Sequence, residues 1–198
     1  MTLVPHRRLQ RQLALLPLLW CAAGAANAAE KVVVHAWRLG DAVQVRAQAS
    51  VIAPQALIWR TLTDYDRLAE FVPGISQSRV LERRGSTSTV AQVGTAHLWF
   101  FTYRIEVVVE SSEQPPDAIG IRLLKGNLKQ LDGRYQIDQV EGKEGEFLLT
   151  WSGVIEPALP VPLLIAMPLM RANIAEQFAG MVREVERREA RRAQGKAE

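Results

Sequence analysis

Residues suited to metal or nucleophilic chemistry are sparse in this sequence of 198 residues. Its three histidines are His6, His35 and His97, and none has a partner at the spacing of a metal-binding helix. The single cysteine, Cys21, lies in an apolar N-terminal run. The sequence also lacks a Gly-x-Ser-x-Gly elbow and a glycine-rich phosphate loop. We therefore expect structural histidines and predict no metal, no cofactor and no nucleophilic centre.

Acidic side chains are plentiful, but their placement does not suit acid–base catalysis. Glu106, Glu110, Asp132 and Asp138 all fall on the polar positions of alternating segments. A general acid and its base must reach the same substrate, so both have to project into one interior. These four carboxylates are predicted to face solvent, which gives no indication of an enzyme.

A few polar side chains are predicted to reach the interior. Tyr103 and Tyr135 share the inward positions of their strands, and Asn173 lies beside the apolar stripe of a helix. Lys125 follows the inward positions at a strand end, close to a possible mouth. A buried tyrosine hydroxyl usually has a hydrogen-bond partner. A structural role is the first interpretation of all four, and contact with a ligand is the alternative.

The elements that would position these groups begin with a strand and a helical corner. Small or apolar residues alternate through positions 43–51, which predicts a half-buried strand. Pro54 suits the first turn of a short helix. Asp64 is expected to cap a second helical turn that ends near Phe71.

Alternating segments then recur with turn residues between them, and Gly126 and Asn127 form a strong hairpin signal. Consecutive strands with short turns predict an antiparallel meander with one packed face. The predicted strands after the corner cover residues 75–84, 87–98, 103–110, 119–125, 128–138 and 147–156.

A long helix is predicted near the end of the chain, with apolar residues at steps of three and four. Its stripe consists of Met170, Ile174, Phe178, Met181, Val182 and Val185. Pro168 is expected to mark its start. Residues 157–168 form an apolar, proline-punctuated approach, which we interpret as a packed connection, with a lid over a cavity as the alternative. Glu184 and Arg188 stand one turn apart in what is predicted to be a solvated helix end.

The first 28 residues have the pattern of a cleaved signal peptide. A basic start is followed by an apolar run at 13–23 and a small-x-small site that ends at Ala28. The run is too short for a membrane span of about 20 residues. The leader holds three of the 24 basic residues and none of the 21 acidic ones, so the remainder is neutral. A neutral domain offers no electrostatic footprint for nucleic acid. We expect one domain over residues 29–198 in the periplasm or outside the cell.

Two motifs resemble a known superfamily. The first runs from Trp59 through Asp64 and Tyr65 to residues 71–74, and the second covers residues 126–137. Together with the final helix, they resemble the START/Bet v 1-like (SRPBCC) superfamily, in its polyketide cyclase/coenzyme Q-binding branch, over a core of about 41–190. The resemblance implies an α+β helix-grip fold. In that fold a curved antiparallel sheet of about six to seven strands wraps around a long C-terminal helix, with two short helices after the first strand.

The resemblance implies a lipid, quinone, sterol or polyketide-like ligand held between sheet and helix. The predicted cavity-lining residues are Trp59, Phe71, Trp99, Phe101, Tyr103, Ile105, Leu123, Tyr135, Trp151, Met167, Met170, Ile174 and Phe178. The same side chains would also suit a solid core.

The favoured interpretation is an exported carrier without catalysis, monomeric and capable of transient membrane contact. One alternative is an aromatase/cyclase-like enzyme on an apolar substrate, with Tyr103, Tyr135 or Arg134 as proton donor. The other is a membrane-associated interaction module with an apolar patch at residues 159–169.

Overall fold

The computed structural model describes residues 32–98, 101–158 and 162–195, so the predicted signal peptide lies outside it. Two strands are followed by a helical corner, six further strands and a long helix. The elements are β1 Val33–Leu39, β2 Ala42–Ile52, α1 Gln55–Leu62, a 3-10 turn Tyr65–Arg67, α2 Leu68–Phe71, β3 Ile75–Arg84, β4 Thr87–Leu98, β5 Phe101–Gln114, β6 Ala118–Gly126, β7 Leu128–Gln139, β8 Glu146–Pro157 and α3 Leu163–Ala193.

All strand pairs in the described chain are antiparallel, in the order β1-β2-β8-β7-β6-β5-β4-β3. The sheet is curved and unclosed, and the core lies between its inner face and the helices. This arrangement confirms the predicted α+β helix-grip class. The sheet has eight strands because β1 pairs with β2 along its whole length, from Val33 opposite Gln48 to Leu39 opposite Ala42. His35 is exposed on this edge strand.

The predicted alternation is confirmed in the central strands, but a β-bulge changes one position. In β5, Val107 and Val109 are buried between more exposed neighbours. Val109 pairs with Leu123, whereas the adjacent Val108 pairs with Lys125, so Leu124 is the extra residue of the bulge. A bulge reverses the faces of the residues beyond it. Lys125 is therefore exposed and does not follow the inward positions, contrary to the prediction.

Helix α3 begins earlier than predicted. The backbone N–H of Ile165 donates to the carbonyl of Pro162 at 2.9 Å, and Pro168 lies inside the helix. Pro168 is the sixth residue of the helix, so its missing backbone N–H removes one i→i−4 hydrogen bond from the second turn. Leu164 is 90 % exposed and Ile165 55 % exposed. The first turn of α3 is thus an exposed apolar surface, which differs from the packed connection that we expected.

The C-terminal half of α3 is anchored by buried charges, which corrects the prediction of a solvated end. Glu184 is 3 % exposed and Arg188 is 6 % exposed. Arg188 Nε donates to Glu184 at 2.7 Å, and Arg188 Nη2 donates to Asp64 at 2.7 Å. The guanidinium also lies 5.4 Å from the ring centre of Phe71. Asp64 stands at the N-cap of the 3-10 turn but forms no side-chain cap, because its carboxylate binds Arg188.

The corner and α3 touch where Gly180 has no side chain. A Cβ atom on Gly180 would overlap Cδ of Pro73 and would lie 2.6 Å from the carbonyl oxygen of Phe71. We expect Gly180→Ala to lower the free energy of unfolding by about 1–3 kcal/mol, because overpacking outweighs alanine's helix preference. Urea denaturation measures the loss.

Gly120→Ala is the matched control, because its added methyl group would lie no closer than 3.9 Å to its nearest neighbours. This variant should be as stable as the parent or slightly more stable. A Gly180→Ala protein of unchanged stability would show that the corner and the helix do not pack as tightly as described.

Candidate ligand cavity

A cavity of about 280 Å³ lies between the inner face of the sheet and α3. Strands β3 to β8 contribute to its wall, and the helical corner closes one end through Leu62, Tyr65, Leu68 and Val72. The volume is near the lower end of the range usual for ligand pockets.

Seven predicted lining residues lie on the cavity wall. They are Tyr103, Ile105, Tyr135, Trp151, Met170, Ile174 and Phe178. Four others pack in the core around the cavity instead, and they are Trp59, Phe71, Leu123 and Met167. Phe71 stacks beneath the guanidinium of Arg188, and α1 turns Leu62, rather than Trp59, toward the cavity. Trp99 and the side chain of Phe101 lie outside the described residues.

Sequence reasoning missed the small residues of β4 and the corner. The wall includes Gly94, Thr95 and Ala96 from β4, and none of these three was among the predicted lining residues. It also includes Tyr65 of the first motif, which was not among the predicted lining residues. Small residues on a strand that faces a helix leave room between the two layers, and this is the signal that the sequence offered.

The wall is apolar, with a few neutral polar groups. Among its described residues there is no Asp, Glu, His, Lys or Arg. Tyr103 Oη donates to the carbonyl of Asn127 at 2.8 Å, and Asn173 Nδ2 donates to the carbonyl of Leu169 at 2.9 Å. Both side chains thus have structural partners. Such a wall suits an uncharged, apolar ligand, because burying an unpaired charge is costly.

Tyr65 has a buried hydroxyl without a partner in the described structure. Ser111 and Glu113 lie close enough to influence it, but neither forms a hydrogen bond of normal geometry with it. Burial, followed by the charge of Glu113, raises the pKa of Tyr65 above its usual range, so the phenol stays neutral. An unpartnered buried hydroxyl costs about 1–3 kcal/mol.

The carboxylate of Glu113 is itself fixed behind Tyr65. It accepts a hydrogen bond from Ser88 Oγ at 3.1 Å and lies 3.7 Å from Arg83. The guanidinium of Arg83 in turn lies 5.6 Å from the ring centre of Tyr65. The ring of Tyr65 is thus held by its neighbours while its hydroxyl remains unpaired.

Tyr135 is another phenol on the cavity wall, and no hydrogen bond from a described residue influences its ionisation. Burial raises the pKa of Tyr135 from 10.0 to about 12. Because the pKa is higher in the folded chain, the stability from the neutral phenol is fully present below pH 10 and is lost as the pH rises through about 12.

We expect a late tyrosinate step near pH 12 in the ultraviolet absorbance, which Tyr135→Phe removes. A Tyr135 step near pH 10 in protein that is still folded by circular dichroism would contradict this assignment.

The fold and the cavity together define a helix-grip protein with an apolar space between sheet and helix. The sequence comparison agrees with this class: the model of the polyketide cyclase/dehydrase and lipid transport family matches residues 51–191. The chain belongs to this family. The match confirms the resemblance carried by residues 59–74 and 126–137, and it indicates hydrophobic ligand binding, polyketide cyclisation or lipid transfer.

Solved structures share the fold at low identity. The Zhui aromatase/cyclase from a Streptomyces species is 15 % identical with a TM-score of 0.62, over 77 % of this chain and 96 % of that one. A STAR-related lipid transfer protein from Xanthomonas axonopodis is 12 % identical with a TM-score of 0.64, over 79 % and 94 %. A START superfamily protein from Mycobacterium smegmatis is 18 % identical with a TM-score of 0.57, over 72 % and 98 %. No curated protein matches the sequence.

Proposed function

We propose that this protein is an exported carrier that holds a hydrophobic ligand in its cavity and has no catalytic centre. The apolar wall without an acidic or basic side chain among its described residues carries this proposal. Pockets for apolar ligands have this composition, with a few polar groups for orientation. The predicted leader at residues 1–28 supports export to the periplasm or beyond.

The placement of the candidate proton donors disfavours cyclase activity. General acid–base catalysis needs a donor within hydrogen-bond reach of the substrate. Tyr103 already donates to a backbone carbonyl, and Arg134 lies off the described cavity wall, where it donates to Gln114 at 2.7 Å. Tyr135 stays protonated to about pH 12 and so is a poor acid near neutrality.

The first turn of α3 favours transient contact with a membrane. Leu164 and Ile165 are exposed there, next to Ala166, which lines the cavity. Exposed apolar residues that adjoin a ligand site mark an interaction surface. No helix among the described residues is long and apolar enough to span a membrane. The carrier would thus touch the bilayer with the first turn of α3 while the ligand moves between the membrane and the cavity.

Transfer of a fluorescent neutral lipid from donor to acceptor vesicles tests this function. The full chain should accelerate transfer, and Leu164→Ser combined with Ile165→Ser should slow it while leaving ligand binding in solution intact. Failure of the wild type both to bind the lipid and to accelerate transfer would refute the carrier function.

N-terminal sequencing of the protein from its own host tests export, with a mature start after Ala28 as the expected result.

A further inference from the structure

We propose that the cavity contains a hydrogen-bonding subsite at the end next to the helical corner. Tyr65 and Tyr135 form it with Ser111, and it selects an uncharged ligand that carries a carbonyl or hydroxyl oxygen at one end. This inference rests on the proposed function, because it assigns an orientation and a chemical class to the ligand of the same cavity.

Strand register places Tyr135 two strands from Glu113, and the hydroxyl of Tyr65 lies close to Glu113. Tyr135 lies opposite Ile119, and Ile119 lies opposite Glu113 on the next strand. Two strand spacings of about 4.8 Å separate Tyr135 from Glu113 by about 10 Å. The hydroxyl of Tyr65 is close enough to Glu113 and Ser111 for both to influence its ionisation. Tyr65 and Tyr135 therefore flank the same stretch of cavity wall.

The groups around this end favour an oxygen acceptor. Tyr65 is 5 % exposed, lines the cavity and has a hydroxyl without a partner in the described structure. Tyr135 also lines the cavity, and burial alone, with no hydrogen bond from a described residue, shifts its ionisation. Tyr103, whose hydroxyl bonds Asn127, has no donor to spare. A ligand oxygen beside these two phenols would accept a hydrogen bond from the buried Tyr65 hydroxyl, which otherwise has no partner among the described residues.

The same end disfavours an anionic headgroup. No cationic side chain lines the described wall, and Arg83 is engaged with Glu113 behind Tyr65. A carboxylate or phosphate placed there would be buried without a counter-charge and would face the carboxylate of Glu113. The cavity volume of about 280 Å³, near the lower end of the range for ligand pockets, suits a single short chain.

Competition for a bound neutral fluorophore, N-phenyl-1-naphthylamine, tests the selectivity. The competitors are decane, 2-decanone and decanoate, which share a chain length and differ at one end. We expect 2-decanone to bind at least about fivefold more tightly than decane, the effect of one net hydrogen bond. Decanoate should bind more weakly than 2-decanone. Tighter binding of decanoate would overturn the inference.

Tyr65→Phe and Tyr135→Phe assign the preference to the two phenols. Each should bring the affinity ratio of 2-decanone to decane toward one. Ser78→Ala is the matched control, since Ser78 also has a buried unpartnered hydroxyl but does not line the described cavity, and it should keep the ratio of the parent. An unchanged ratio in both phenylalanine variants would overturn the subsite alone. Failure of the wild type to bind the fluorophore or any competitor would refute the proposed function as well.

Discussion

Arg188→Ala should lower the free energy of unfolding by about 1.5–3 kcal/mol, because it removes the charge-assisted hydrogen bonds that join buried Glu184 to Asp64. Glu184 and Asp64 each accept a hydrogen bond from this guanidinium at 2.7 Å. Asp64 lies in the helical corner, so the same contact fixes the distance between the corner and α3. Denaturant unfolding at neutral pH measures the loss.

Arg192→Ala is the matched control on the same helix. Arg192 binds Glu189 at 2.8 Å, but the guanidinium is exposed to solvent, so its loss should leave stability nearly unchanged. Equal stabilities of the Arg188 and Arg192 variants would show that the buried network contributes nothing.

The network also makes the free energy of unfolding depend on pH under acidic conditions. Burial opposes the ionisation of Glu184, but hydrogen bonds from Arg187 and Arg188 outweigh it and hold the pKa of Glu184 below its ordinary 4.5. Because the pKa is lowered in the folded chain, this contribution is present above pH 4.5 and is lost as the pH falls through the folded pKa. In Arg188→Ala, the free energy of unfolding should therefore fall less between neutral and acidic pH than it does in the parent.

Ile174→Trp should weaken binding of a neutral apolar fluorophore at least about tenfold while the protein stays folded. Ile174 lies on the cavity wall in α3, opposite the sheet, so a larger indole occupies the space that the ligand needs. Fluorescence titration measures the affinity, and circular dichroism confirms the fold.

Leu164→Trp makes the same kind of change on the same helix at a position 90 % exposed to solvent. It should keep the affinity of the parent in the absence of membranes. If Ile174→Trp bound the fluorophore as tightly as the parent, the ligand would have to bind outside this cavity.

Local periodicity explains which parts of this structure the sequence predicted. Tyr103, Ile105 and Tyr135 follow period-two alternation, and Ile174 and Phe178 follow the helical stripe. All five line the cavity. Alternation and helical steps are properties of neighbouring residues, so they can be recognised without knowledge of tertiary contacts.

The missed features depend on contacts between distant residues. Arg188 and Asp64 are 124 positions apart, so the burial of their ion pair follows only from the position of α3. The exposure of Lys125 follows from a bulge whose register is defined by the neighbouring strand. The unpaired hydroxyl of Tyr65 and the space beside it likewise depend on how the corner, the sheet and α3 pack together.

We propose that the cavity holds a hydrophobic ligand. The most direct measurement is mass spectrometry of an organic extract from protein purified without detergent from its native compartment. We expect about one small apolar molecule per wild-type chain, with an uncharged oxygen-bearing end, and much less in Ile174→Trp. A wild-type protein that yields no such molecule and also excludes neutral apolar fluorophores would contradict it.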